Sequence, residues 1–215
     1  MQPLLDDHTT TPARCGASLM TYVDDVWAAV PEGAEPELFG PRRDFLLRHV
    51  PDGARVLDVG CGEGAFADAL REAGASPVSV DVADEPLRRL RARFPQLTDV
   101  RRARPGEPLP LNDDEVDAVW AGEVIEHVVD VGAFCGELRR VLKPAGPLIL
   151  TTPDHPRRKR IQLALSERRF AEHFSPYADH LRFFTARTLI RVLEDAGFPT
   201  VALTRAQGHL LACAF

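Results

Sequence analysis

Apolar positions along the chain alternate between two patterns: short unbroken runs, and longer stretches in which they recur every third or fourth residue. The first pattern is that of a strand buried on both faces, and the second that of a helix with one buried face. Val56-Leu57-Asp58-Val59 reads as a strand, Gly60, Gly62 and Gly64 bend the chain, and Phe66, Ala69, Leu70 and Ala73 mark a helix that Gly74 stops. The alternation repeats. Residues 77–81 form a second strand, followed by a helix carrying Leu87, Leu90 and Phe94 that Asp84 is placed to cap; a third strand lies within 98–103 and a fourth over 116–122. Asp130 caps a helix bearing Val131, Phe134, Leu138, Val141 and Leu142, Lys143-Pro144-Ala145-Gly146 breaks it, and residues 147–153 form a fifth strand. After a long connection Thr185 caps a helix with Leu189, Ile190 and Leu193, and two closing strands, 200–204 and 209–215, pair around Gln207-Gly208. Strands that alternate with helices predict an α/β fold with a mostly parallel sheet.

Upstream of the first strand, Phe45, Leu46 and Val50 mark one helix, and Val23, Val26, Trp27 and Val30 mark an amphipathic segment over 22–30. Tyr22 and Trp27 read first as core packing; the alternative is a cap helix folded over the ligand end of the sheet. The predicted organisation is an N-terminal segment and cap helix over 1–38 and one main domain over 39–215, with a lid over about 154–180. A connection of that length at the ligand end of a sheet is usually functional.

Composition narrows the class. With 45% hydrophobic and 27% charged residues the chain has the balance of a folded domain rather than a disordered one. A net charge of −6 supplies no general attraction to nucleic acid or to anionic membranes, so neither is expected as a partner. Cys15, Cys61, Cys135 and Cys213 form no Cys-x-x-Cys pair, which argues against a zinc knuckle and for reduced thiols. Residues 1–20 read as a poorly ordered terminus without the basic start and apolar core of a signal peptide, and no run approaches the ~20 apolar residues of a membrane span. A cytoplasmic protein is expected.

The glycines after the first strand are spaced Gly-x-Gly-x-Gly, unlike the Gly-x-Gly-x-x-Gly of dinucleotide folds. Leu57-Asp58-Val59-Gly60-Cys61-Gly62-Glu63-Gly64 resembles the first motif of the class I S-adenosylmethionine (SAM) dependent methyltransferases. Glu123-Val124-Ile125-Glu126-His127 directly after the fourth strand and Leu142-Lys143-Pro144-Ala145-Gly146 before the fifth are similar to the same family, in the same order. The resemblance covers about 39–215. It implies a Rossmann-like, seven-stranded, mostly parallel sheet with helices on both faces, and SAM lying across the ends of strands one, two and four. The positions it implies for SAM are Asp58, Gly60, Cys61, Gly62, Gly64, Asp81, Val82 and Glu123. Asp81, about twenty residues beyond the glycines, has the position of a carboxylate that accepts from both ribose hydroxyls. The chain departs from the family where an aspartate usually reads the adenine amino group: Arg104-Pro105-Gly106-Glu107-Pro108-Leu109 holds none, which leaves backbone groups near Ala103 and Arg104.

His127 has the chemistry of a general base near neutral pH, and could equally brace the end of strand four. Glu123, Glu126, His127 and the distant His180, in Asp179-His180-Leu181-Arg182-Phe183-Phe184-Thr185, also resemble the metal set of bacterial RNA 3′-terminal ribose methyltransferases, so a divalent metal is a candidate cofactor beside SAM. Related small-molecule enzymes carry a similar histidine pattern without that implication. Arg157-Arg158-Lys159-Arg160 reads as a solvated helix face rather than a phosphate clamp. The expected activity is transfer of a methyl group from SAM to an oxygen or nitrogen of a small molecule, a secondary metabolite or quinone-like precursor. A metal-dependent RNA 3′-terminal 2′-O-methyltransferase is the alternative, and a non-catalytic SAM-binding regulator the third reading.

Overall fold

The computed structural model describes residues 26–175 and 178–215; the expectations for residues 1–25 and for Tyr177 lie outside them. In chain order the elements are α1 (Phe39–His49), β1 (Arg55–Val59), α2 (Ala65–Glu72), β2 (Ser76–Asp81), α3 (Asp84–Arg93), β3 (Val100–Arg102), β4 (Ala118–Gly122), a short 3₁₀ turn (Ile125–His127), α4 (Val131–Val141), β5 (Leu148–Pro153), α5 (Arg157–Ala164), α6 (Glu167–His173), α7 (Ala186–Asp195), β6 (Val201–Ala206) and β7 (His209–Ala214). One seven-stranded sheet runs in the order β3-β2-β1-β4-β5-β7-β6. All neighbours are parallel except β7, which is antiparallel to both β5 and β6. This is the Rossmann-like arrangement expected from the sequence.

Unbroken apolar strands give the sheet two buried faces, and each strand divides its residues between them by simple alternation. Leu57, Val59, Val119, Leu148, Leu150, Leu210 and Ala212 face α4 and α7 through Leu138, Leu189 and Leu193. Val56, Ala118, Trp120, Ile149, Leu211 and Cys213 face α1 and α2 through Phe45, Leu46, Phe66 and Leu70. A third layer of contacts joins α3 to the glycine bend through Cys61, Ala67, Leu87 and Leu90. The closing hairpin turns on two residues of positive φ, Gln207 (46°) and Gly208 (89°), the backbone of the two-residue turns that match strand twist.

Two local expectations are corrected. Asp84 is the first residue of α3 rather than its cap: Ala83 holds the cap position, its amide donates to Asp81 Oδ1 at 3.0 Å, and the Asp84 carboxylate pairs with Arg102. Asn112-Asp113-Asp114-Glu115 reads from the sequence as a solvated acidic turn, and it is not wholly so. Glu115 accepts from the Asn112 amide and pairs with Arg55 and Arg101, which holds its carboxyl down at about 2. Asp130 and Thr185 cap their helices as expected, Thr185 within a reciprocal capping box with Thr188.

Candidate functional site

Parallel strands bring the ends of β1, β2, β4 and β5 to one edge of the sheet, and the antiparallel β7 starts there. At Gly60 and Gly62 the bend after β1 needs glycine for more than chain flexibility. Gly60 has φ 68°, and a Cβ there would lie 2.5 Å from Val124 Cγ2; Gly62 has φ 52°, and a Cβ there would lie 2.8 Å from Trp27 Cη2. The bend is therefore closed in by the loop after β4 on one side and by the N-terminal segment on the other. Trp27 is half-buried against it and lies outside the core, where the first reading placed it.

Asp81 at the end of β2 is fixed to the same bend. Its Oδ2 accepts from the Gly62 amide and its Oδ1 from the Ala83 amide, both at 3.0 Å, while Gly60 and Cys61 donate to Val80 O. Val82 is half-buried beside it, and burial raises the Cys61 thiol well above its ordinary range. Asp58, near the end of β1, is buried with Oδ2 unpartnered among the described residues; burial, then the nearby Asp81 charge, push its carboxyl up to about 8. Of the backbone groups near Ala103 and Arg104, the Ala103 amide donates to Asp81 O at 2.9 Å.

At the end of β4 the chain turns sharply, with Glu123 at φ 59°. Its Oε2 stands 3.2 Å from His209 Nε2, and its Oε1 has no partner among the described residues. Burial would raise this carboxyl; hydrogen bonds from His209 and Thr151 and the charge of Arg42 outweigh it and leave it lowered. The Glu123 hydrogen bond raises His209 in turn. Glu126 is buried and behaves oppositely. Its Oε2 accepts from Thr152 Oγ1 at 2.9 Å, but burial, followed by the Glu123 charge, lifts it to about 8. Two carboxyls side by side thus divide into one charged and one neutral group at pH 7.

Two participants escape sequence reasoning. Arg42 on α1 is buried; its Nε donates to Thr151 Oγ1 at 3.1 Å, its guanidinium lies over Phe66 and Trp120, and it faces Glu123, Glu126 and Asp58. His209 arrives at the site because β7 begins where β5 ends, opposite Pro153. Neither stands near a motif. The one available signal is that a chain reversal into an antiparallel strand places the first residue of that strand at the ligand end.

His127 Nδ1 lies 3.1 Å from Asp179 O. A carbonyl only accepts, so Nδ1 carries the proton and Nε2 of the neutral ring is left as the acceptor. His180 meets the His127 ring edge-on at 4.8 Å, and burial, then His127, lower its pKa. Glu126, His127 and His180 each offer one donor atom within 4.8 Å of the others. Glu123, expected in the same set, stands outside it because its carboxylate is turned to His209. The Glu126 carbonyl accepts from the Leu181 and Arg182 amides, which ties the returning end of the 154–180 connection to the end of β4. The connection over 154–180 carries α5 and α6, with Arg157, Arg158 and Arg160 exposed. His173 on α6 anchors it through His155, Nε2 to Nε2 at 2.8 Å, within a cluster of Phe174 and Phe183.

Residues 33–203 match the profile of the methyltransferase-domain family. The chain belongs to that family. This methyltransferase domain is 35% identical over 172 residues to a probable SAM-dependent methyltransferase of Mycolicibacterium smegmatis, covering 79% of this chain and 62% of that protein. It is 33% identical over 174 residues to the human mitochondrial ubiquinone biosynthesis O-methyltransferase, covering 72% and 46% respectively. The chain thus spans about half to two thirds of the length of these curated relatives. In fold, the domain superposes on a SAM-dependent methyltransferase of Aquifex aeolicus with a TM-score of 0.64 at 20% identity, covering 89% of this chain and 97% of that one. A protein of Pyrococcus horikoshii gives a TM-score of 0.66 at 19% identity, covering 88% and 97%. No helix among the described residues is long and apolar enough to cross a membrane.

Proposed function

We propose that the domain binds SAM over the bend at Gly60–Gly64 and Asp81 and methylates an oxygen or nitrogen of a small molecule received beneath the lid. The observation that carries this reading is the junction of Asp81 with the glycine bend, beside two buried acceptors, Asp58 Oδ2 on β1 and Glu123 Oε1 after the neighbouring β4, that have no protein partner among the described residues. Such acceptors suit a nucleoside that carries hydroxyls and an ammonium group. Asp81 holds the ribose diol, Val82 and Cys61 border the nucleoside, and Asp58 and Glu123 face the amino-acid end. SAM supplies an electrophilic methyl group on a positively charged sulfur. The task of the chain is to align the acceptor with that methyl, which is worth up to ~7–11 kcal/mol in well-oriented systems, and to take the acceptor's proton. His127 Nε2 takes it, with Nδ1–H held on Asp179 O. The names of the ubiquinone biosynthesis relatives favour a phenol or catechol of the quinone-precursor type.

The gathering of Glu126, His127 and His180 favours a second reading, in which a divalent cation sits at those three residues and lowers the pKa of an acceptor hydroxyl. The test is transfer of labelled methyl from SAM to a panel of phenols, catechols and amines, with short RNAs in parallel and with chelator present or absent. Label is expected in a small acceptor, and His127→Ala should lower kcat by ~10²–10⁴-fold while SAM affinity stays within about twofold. Label confined to RNA 3′ ends would replace this reading by the ribose one, and loss of transfer with chelator would favour the cation.

A further inference from the structure

The segment before α1 crosses the glycine bend, and what holds it there is a buried ion pair. Glu63 lies inside the bend itself, Arg89 lies on α3, and their charges meet at 2.8 Å with side chains only 8% and 7% exposed. Burying two charges is costly unless their remaining hydrogen-bonding positions are filled. Here the N-terminal segment fills them. Arg89 Nη2 donates to Trp27 O at 3.0 Å and Nη1 to Val30 O at 2.8 Å, while Glu63 Oε2 accepts from the Gly33 amide at 2.7 Å. Glu85 takes Arg89 Nε at 2.7 Å and fixes the guanidinium plane. With the segment lifted away, Arg89 would lose two acceptors and Glu63 a donor. The segment is thus bound most firmly in the one position that sets the Trp27 ring against Gly62.

We propose that Glu63 and Arg89 are a clip that seats Trp27 as the cover of the nucleoside held on the glycine bend, so that Arg89, a positioning residue, sets the lifetime of the bound cofactor product. The inference rests on the reading that the bend binds SAM. It adds that departure of S-adenosylhomocysteine requires the clip to open, and opening of a cover is a common limit on turnover. Glu63 gives the device its economy: one residue belongs both to the binding bend and to the latch, so occupancy of the bend and closure of the segment are felt together.

The experiment is a chase of labelled S-adenosylhomocysteine from the full chain by excess unlabelled ligand, with Trp27→Ala, Arg89→Met, Arg89→Lys and the Trp27→Ala/Arg89→Met double variant. Each of Trp27→Ala and Arg89→Met should speed dissociation on the order of 10-fold, since loss of one partner of a buried hydrogen-bonded charge pair acts mainly on the off-rate. Arg89→Lys should recover part of the loss, and the double variant should be no faster than the faster single, because both act through one closed state. Dissociation within about twofold of the unsubstituted rate in Trp27→Ala, or additive effects in the double variant, would overturn the clip. If Arg89→Met does not fold, Trp27→Ala alone decides, as Trp27 lies outside the core. Absence of any binding to the unsubstituted chain would instead remove the reading on which the clip rests.

Discussion

A carboxyl buried beside another acid holds its proton to higher pH than one in water, and Glu126 does so next to Glu123, with Asp58 a second case one strand away. Both are lifted to about 8 from ordinary values of 4.5 and 3.8. Between those limits the unfolded chain releases protons that the folded chain keeps, so fewer protons are bound on unfolding and stability falls as pH rises, levelling above about 8. Glu126→Gln keeps the hydrogen bond to Thr152 and removes one of the two titrations. Unfolding free energies from denaturant titrations across pH 5–8 should then decline less steeply than in the parent, by about 1–3 kcal/mol over the window. An unchanged pH profile would place the Glu126 proton elsewhere. At this scale the sequence was informative where one short motif holds all the partners, as in the glycine bend with Asp81 or Glu123 to His127. It was silent on Arg42 and His209, whose partners lie 109 residues away at Thr151 and 86 residues away at Glu123, because spacing cannot announce a contact made by folding.

Among the elements, the strands and the helices that cover them were legible because alternation of buried faces is a property of the backbone period alone. The stretch over 154–180 was legible as a long connection but not as two helices. Ser166, which caps α6 by accepting from the Arg169 amide, divides it from α5, and one serine in a polar stretch is a weak signal. The cap segment was legible as an amphipathic stretch, yet its placement depends on Arg89 and Glu63, which belong to other elements. The lid's anchor is likewise non-local. Burial, then Lys159, lower His155 to about 4, so it is neutral at pH 7 and pairs with His173. A base with a depressed folded pKa contributes stability that is present above its unfolded value of 6.5 and is lost as pH falls through about 4. Protection of the α5–α6 amides from hydrogen exchange should therefore drop in acid before that of the sheet, and His155→Ala should lower it on the order of 10-fold at neutral pH with β1, β4 and β5 unaffected. Equal loss of protection in lid and sheet would show that the pair does not hold the lid separately.

For the whole molecule, a sheet of the order β3-β2-β1-β4-β5-β7-β6 collects the glycine bend, Asp81, Glu123, Glu126 and His127 at one edge, and the connection that carries α5 and α6 leaves from the same edge after β5. Net charge bears on partners at the same scale. With 32 acidic against 26 basic residues, and the exposed arginines of α5 as a local exception, binding to RNA is expected to be weak and to vanish as salt rises. The central claim is that this edge holds SAM through the glycine bend and Asp81. Calorimetric titration of SAM into the purified chain, and into Asp81→Ala, tests it most directly. The account predicts one saturable site per chain, weakened on the order of 10-fold or more by Asp81→Ala, since hydrogen bonds to a charged group are each worth about 1.5–3 kcal/mol. No binding to the parent chain, or equal affinity in Asp81→Ala, would contradict it.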